Sequence, residues 1–140
     1  EQANNAGRMR DLVLYHCISG YPVANEHLYL LELSRLIEHY RNDVKDIGFS
    51  GHHVGIAADI AALTLGATNF ERHFTLDRTW KGTDHAASLE PDGLRRLIRD
   101  LKSVNLALKS KPQEIVALEK VQRDKLKKIV SLPKPLKLKT

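Results

Sequence analysis

The feature that most constrains this chain is the order of its apolar patterns: strand-like runs alternate with helical ones along 140 residues. The strand-like runs are Asp11–Cys17, Asp46–Ser50 and Thr68–Thr75. The helical pattern 25–40 carries Leu28, Leu31, Leu36, Ile37 and Tyr40 on one face. The pattern 54–65 is apolar nearly all round, which suits a helix packed on several sides, and Gly66 suits its C-terminal cap. From Pro91 to Leu108, Leu94, Leu97, Ile98, Leu101 and Val104 keep three- and four-residue spacing, and Pro91 beside Glu90 and Asp92 makes a good helix start. A weaker amphipathic helix, 113–130, and an extended tail, 131–140, complete the chain. The order β-α-β-α-β-α-α argues for parallel strands joined by helices. Such folds place their chemistry at the C-terminal ends of the strands. Those ends carry Ser19-Gly-Tyr21, Ser50-Gly-His52-His53 and Arg72-His73.

Length limits how these units close. An eightfold βα barrel needs about 250 residues, and 140 residues hold three or four βα units. Two architectures remain: a small three-layer sheet protein, or the last part of a larger barrel. The chain does not begin with Met, so a fragment or processed chain is expected.

Composition narrows the class. An apolar content of 42% is enough for a core. No apolar run approaches the ~18 residues of a membrane span, and residues 1–10 lack the apolar segment of a signal peptide. The single cysteine, Cys17, cannot form an internal disulfide. A reducing, cytoplasmic setting is therefore expected, with Cys17 as a small buried residue. The net charge of +5 invites a nucleic-acid reading. Residues 101–140, however, hold 11 Lys/Arg and 3 Asp/Glu, a net of +8, whereas residues 1–100 hold 11 and 14, a net of −3. The basic segment, with Lys120, Arg123, Lys125, Lys127 and Lys128, has no interleaved aromatic residue and reads as a solvated helix face.

Candidate chemistry collects in the slightly acidic part, where all seven histidines lie. His52 and His73 end neighbouring strands, and neutral imidazoles so placed bind a divalent metal or, alternatively, hydrogen-bond to backbone. His53 should point away from His52 and reads as structural. His16 lies within the first strand, facing either the interior or the helix layer. The hydroxyls of Ser19, Tyr21 and Ser50 suit carboxylate or phosphate oxygens, or are ordinary turn residues. The loop 76–88 holds the sole Trp, with Asp84 and His85 suited to acid/base work or hydroxyl binding, and Arg78 and Lys81 suited to an anion. Otherwise it is a solvated loop whose Ser88 and Glu90 cap the next helix.

Five segments together resemble the sialic acid synthase family, which condenses phosphoenolpyruvate with an N-acetylhexosamine. They are His16-Cys-Ile-Ser-Gly-Tyr-Pro22, Gly48-Phe-Ser-Gly-His-His-Val-Gly-Ile56, Ala62-Leu-Thr-Leu-Gly-Ala67, Phe70-Glu-Arg-His-Phe-Thr-Leu-Asp77 and Thr79-Trp-Lys-Gly-Thr-Asp-His-Ala-Ala-Ser-Leu-Glu-Pro91. The resemblance covers roughly residues 11–110. It implies an α/β fold, the later βα units of a (β/α)8 TIM barrel. Residues 1–110 are then the C-terminal part of that barrel, and residues 111–140 a basic helix and linker. The family's antifreeze-like domain is not recognisable.

The resemblance also implies roles. His52 and His73 match the two histidines that bind a divalent metal, Mn2+ or Mg2+. Ser19 and Tyr21 match contacts to phosphoenolpyruvate and the sugar, and Ser50 matches a hydroxyl near the phosphoenolpyruvate carboxylate. Asp84 matches an acidic contact to the acceptor sugar; Asp84 and Tyr21 are the catalytic candidates. Gly51, with Trp80-Lys-Gly82, looks more like members that take a phosphorylated sugar. The lysines that hold the phosphate of phosphoenolpyruvate belong to earlier strands. Either an association into a homodimer or the missing remainder of the barrel is expected to cover the open sheet, with no nucleic acid and no membrane as partner. The alternative is a truncated, non-catalytic paralogue that binds sugar and metal.

Overall fold

A computed structural model describes residues 7–127. Two compact units divide at Leu108 and Lys109. In the first unit, β1 (Val13–Cys17), β2 (Asp46–Gly51) and β3 (Asn69–Arg72) form one sheet in the order β1-β2-β3. Both pairings are parallel, with His16 opposite Phe49 and Phe49 opposite Phe70. The connections are α1 (Glu32–Tyr40) and α2 (Ala57–Thr64), and α3 (Pro91–Ala107) follows β3. The alternation read from the sequence is therefore present.

Strand pleating divides the residues between two faces. Leu14, His16, Ile47, Phe49 and Phe70 point to the helices, where Leu28, Leu33, Val44, Ala58, Ala62 and Ala67 join them as a core. Phe49 and Leu33 are fully buried, each contributing about 1.5–3 kcal/mol by leaving water. His16 belongs to this helix side, since it is buried and its ring nitrogen Nε2 donates to the Leu28 carbonyl at 2.7 Å. The opposite face carries Tyr15, Cys17, Ser50, Asn69 and Glu71. It is open at Tyr15, Cys17 and Glu71. Cys17 is thus exposed, contrary to the buried position expected of it, because pleating turns it to the face away from His16.

Several boundaries differ from the sequence reading. The pattern 25–40 splits into a 3-10 turn, Asn25–His27, and the shorter α1, because Tyr29 takes a positive φ of 46° that breaks the helical path. β3 ends at Arg72 rather than Thr75; beyond it the chain leaves β2 and bridges to Leu89 instead. α2 is shorter than 54–65, and Gly66 closes it at φ 106°. Pro91 does open α3 at its first turn. In the second unit the described helix is α4 (Ala117–Leu126), within the expected 113–130. Leu118, Val121 and Leu126 on it are exposed. Lys128 and the tail 131–140 lie outside the described residues. Among the described residues no helix is long and apolar enough to cross a membrane.

Gly48 marks the tightest point of the sheet. A Cβ there would stand 2.5 Å from Tyr15 Cε1 and 2.8 Å from the Asn69 carbonyl oxygen. Gly48→Ala is expected to destabilise the fold by about 1–3 kcal/mol, read as a lower midpoint in urea; an unchanged midpoint would contradict the packing described for β2.

Candidate metal and substrate site at the strand ends

The same alternation that sorts the strand residues continues past the strand ends. Ser50 and His52 share one side of β2, and Glu71 and His73 share that side of β3. His53 and Arg72 fall on the other side, toward α2. The turn after β1 adds Tyr21, which precedes Pro22 through a cis peptide bond.

Three rings meet here. The His52 and His73 centroids are 5.1 Å apart, and Tyr21 lies 4.4 Å from His52 and 5.6 Å from His73. His52 is buried, and its Nδ1 donates to the Ile18 carbonyl at 2.9 Å. A carbonyl only accepts, so the proton sits on Nδ1 and the lone pair on Nε2. This is the usual arrangement of a metal-binding imidazole, with its second nitrogen fixed by backbone. His73 is about a third exposed, and its Nδ1 lies 3.8 Å from an Asp84 carboxylate oxygen, close but beyond hydrogen-bond length. The donor set thus fits a cation that takes two imidazole nitrogens and fills its other positions from water or substrate. Among the described residues no group of three or more His, Cys, Asp or Glu is placed to hold a metal ion, so these two imidazoles would be the protein's only such ligands there.

The other candidates take distinct places. Asp84 is exposed, accepts from the Thr83 hydroxyl at 2.9 Å, and heads the 3-10 turn His85–Ala87. Ser19 is exposed and linked only loosely, through Cys17 Sγ at 4.0 Å, which in turn lies 3.9 Å from His52 Nδ1. Ser50 is buried and donates its hydroxyl proton to Glu71 at 2.7 Å. Glu71 was not singled out from the sequence. Its signal was the β3 register, which places it across from Ser50.

The loop 76–88 folds on itself. Thr75 Oγ1 lies 2.8 Å from His85 Nδ1, and Trp80 meets the His85 ring edge-on. Arg78 donates to the Ala86 carbonyl, and its backbone N–H donates to Glu90 Oε1 at 3.1 Å. These bonds hold the loop, so neither Arg78 nor His85 stands at the strand-end rings. Ser88 donates to the Asp84 carbonyl at 2.7 Å, and no side chain caps the first turn of α3. Glu90 does stand at the N-cap position of α3, without a side-chain bond to its first turn, whereas Ser88 is not the cap.

A second missed feature lies behind the rings. Asp59 on α2 is fully buried and forms an ion pair with Arg72 at 2.5 Å, with His53 Nε2 3.3 Å from the same carboxylate oxygen. Asp59 interrupts an apolar helix, and that interruption was its only sequence signal. Burying one charge alone would cost several kcal/mol, about 3–5 when a partner is removed. Arg72 and Asp59 are thus mutually required.

With this geometry in view, comparison with known proteins is decisive. The NeuB family matches residues 2–113. The chain belongs to the NeuB family. It is 45% identical over 116 residues to the N-acetylneuraminate-9-phosphate synthase of Homo sapiens, covering 81% of this chain and 31% of that protein. It is 36% identical over 104 residues to the N,N'-diacetyllegionaminic acid synthase of Campylobacter jejuni, covering 74% of this chain and 30% of that one. The chain therefore spans about a third of the length of these curated relatives. Among solved structures, the sialic acid synthetase of Leptospira borgpetersenii superposes with a TM-score of 0.67 at 32% identity, over 81% of this chain and 40% of that one. The spore coat polysaccharide biosynthesis protein SpsE of Bacillus subtilis gives a TM-score of 0.70 at 28% identity, over 84% and 36%. The NeuB chain described here is thus an α/β protein of the TIM-barrel type that carries part of the barrel.

One titration follows from the loop. The Thr79 hydroxyl and backbone N–H both donate to Asp77, which lowers its carboxyl below the ordinary 3.8. A depressed carboxyl stabilises above its unfolded value and loses that contribution as pH falls through the folded one. Carbon-13 titration of Asp77 is expected to show a midpoint below 3.8 that rises in Thr79→Val; equal midpoints in both proteins would contradict the assignment.

Proposed function

We propose that this chain supplies part of the catalytic barrel of a synthase that condenses phosphoenolpyruvate with an N-acetylhexosamine to give a nine-carbon 2-keto sugar acid and phosphate. The observation that carries the reading is the packing of the His52, His73 and Tyr21 rings at the ends of adjacent parallel strands, in a chain whose family includes synthases of this class. The strands are read as the later ones of the barrel.

His52 and His73 would hold Mn2+ or Mg2+, which supplies Lewis acidity toward the aldehyde oxygen of the open-chain sugar. The residues of this chain then position the reactants. The C3 carbon of phosphoenolpyruvate attacks the aldehyde carbon, water adds at C2, and phosphate departs with cleavage of the C2–O bond. Tyr21 lies beside both imidazoles, tilted to His52 and edge-on to His73, and would present its hydroxyl to the substrates. Asp84, beside His73, orients the sugar hydroxyls or carries a proton at the reacting end. Ser50 would serve the phosphoenolpyruvate carboxylate by turning its hydroxyl proton from Glu71 to that ligand, and Ser19 would contact the same substrate. Remaining contacts, including those to the phosphate, come from outside these residues. The rest of the barrel, or a second copy, would cover the open face at Tyr15 and Glu71.

The acceptor is read as N-acetylmannosamine 6-phosphate rather than the free sugar. Three carbons added to a hexosamine turn C6 into C9, which agrees with the 9-phosphate in the name of the human relative. Gly51 and Trp80-Lys-Gly82 support the same choice.

Phosphate release from phosphoenolpyruvate in the full-length protein tests the reading. His52→Ala and His73→Ala are each expected to slow it about 100-fold or more, because several kcal/mol of Lewis-acid stabilisation is lost. Turnover equal to that of the unaltered protein would overturn the assignment. The 140 residues alone are expected to give no turnover.

A further inference from the structure

The backbone ladder of β2 and β3 stops short of His52 and His73. The last registered pair between β2 and β3 is Gly51 with Arg72, and both histidines lie one residue beyond it. Each is tied to a different neighbour. The His52 carbonyl accepts from Val23 N–H at 3.0 Å, on the β1 side. The His73 carbonyl accepts from Leu89 N–H at 2.8 Å, on the opposite side. The two residues past the strand ends are thus bonded to different neighbours, while their rings stay 5.1 Å apart.

Arg72 links the two segments beyond the end of the ladder. Its Nη2 donates to the His53 carbonyl at 2.7 Å, and its Nη1 donates to the Gly55 carbonyl at 2.9 Å. The guanidinium therefore continues the β2–β3 join after the backbone ladder has ended. Asp59, from α2, fixes the guanidinium at 2.5 Å and lies 3.3 Å from His53 Nε2. All three side chains are nearly or completely buried. Pleating makes the arrangement specific: His53 and Arg72 adjoin His52 and His73 in sequence but face the helix layer. They reach the ring site through one backbone unit each.

We propose that Arg72, Asp59 and His53 form a positioning group that sets the separation of the His52 and His73 rings, and so the affinity of the pair for a divalent cation. The second half of this inference rests on the metal reading given above. The first half does not. A buried ion pair that served only stability would be replaceable by apolar side chains of similar volume. A positioning group would not be, because the bonds to the His53 and Gly55 carbonyls would be lost with it.

The test compares the full-length protein with the double variant Asp59→Leu/Arg72→Met, which removes both charges together so that neither is left buried and unpaired. Arg72→Lys, which keeps the charge and part of the hydrogen bonding, is the conservative partner. Two measurements are made at equal thermal midpoint: Mn2+ affinity by titration, and the nuclear Overhauser contact between the His52 and His73 rings without metal. The double variant is expected to bind Mn2+ about 10- to 100-fold more weakly and to lose the ring contact, with Arg72→Lys between it and the unaltered protein. Retained ring contact in the double variant would overturn the proposal, as would retained affinity. Should the double variant fold poorly, Arg72→Lys alone decides: unaltered ring contact overturns the proposal, and a weakened one supports it. If the unaltered protein binds no Mn2+, the metal reading fails, while the ring contact still decides the positioning role.

Discussion

Parallel hydrogen bonding of three strands in one register is the constraint on which this molecule depends. It fixes Cys17, Ser50 and Glu71 in one row and His16, Phe49 and Phe70 in the next. Pleating then sends one row to the helices and the other to the open face. Because all three strands run the same way, the three following turns emerge at one edge. Tyr21, His52 and His73 meet there although they are far apart in sequence. An antiparallel pairing would have sent alternate turns to opposite edges and left no such cluster.

The two sides of the strand ends have opposite electrostatic character. On the open side His52 keeps its Nε2 lone pair available, because its Nδ1 donates to the Ile18 carbonyl. On the helix side the charge is closed in upon itself, with Asp59 against Arg72 and His53. A buried pair of this kind contributes little to stability compared with an apolar substitute. Its presence in a helix as apolar as α2 therefore points to geometry rather than to folding energy. The hydrophobic work is done nearby by Leu33, Phe49 and Ala62.

Much of this was legible in the residues. The alternation of runs showed the parallel sheet, Gly66 and Pro91 marked a helix end and a helix start, and the strand-end motifs named the residues that the fold gathers. What escaped the reading depended on register. Glu71 and Asp59 look like ordinary residues of a strand and a helix until the fold places Ser50 and Arg72 against them. Cys17 was expected in the core because small apolar residues usually go there, but its place in the pleat exposes it. The pattern 25–40 looked like one helix because Leu28 continues the apolar stripe; Leu28 does enter the core, from a 3-10 turn rather than from α1. The basic charge that first suggests a polyanion belongs to the sequence after residue 100, which holds no histidine.

The central claim is that adjacent parallel strand ends form a two-imidazole cation site. Anomalous diffraction at the manganese edge, on crystals of the full-length protein grown with Mn2+, tests it most directly. The account predicts a peak shared by His52 Nε2 and a ring nitrogen of His73, at bonding distance of both. A peak elsewhere, or none at these rings, would contradict it.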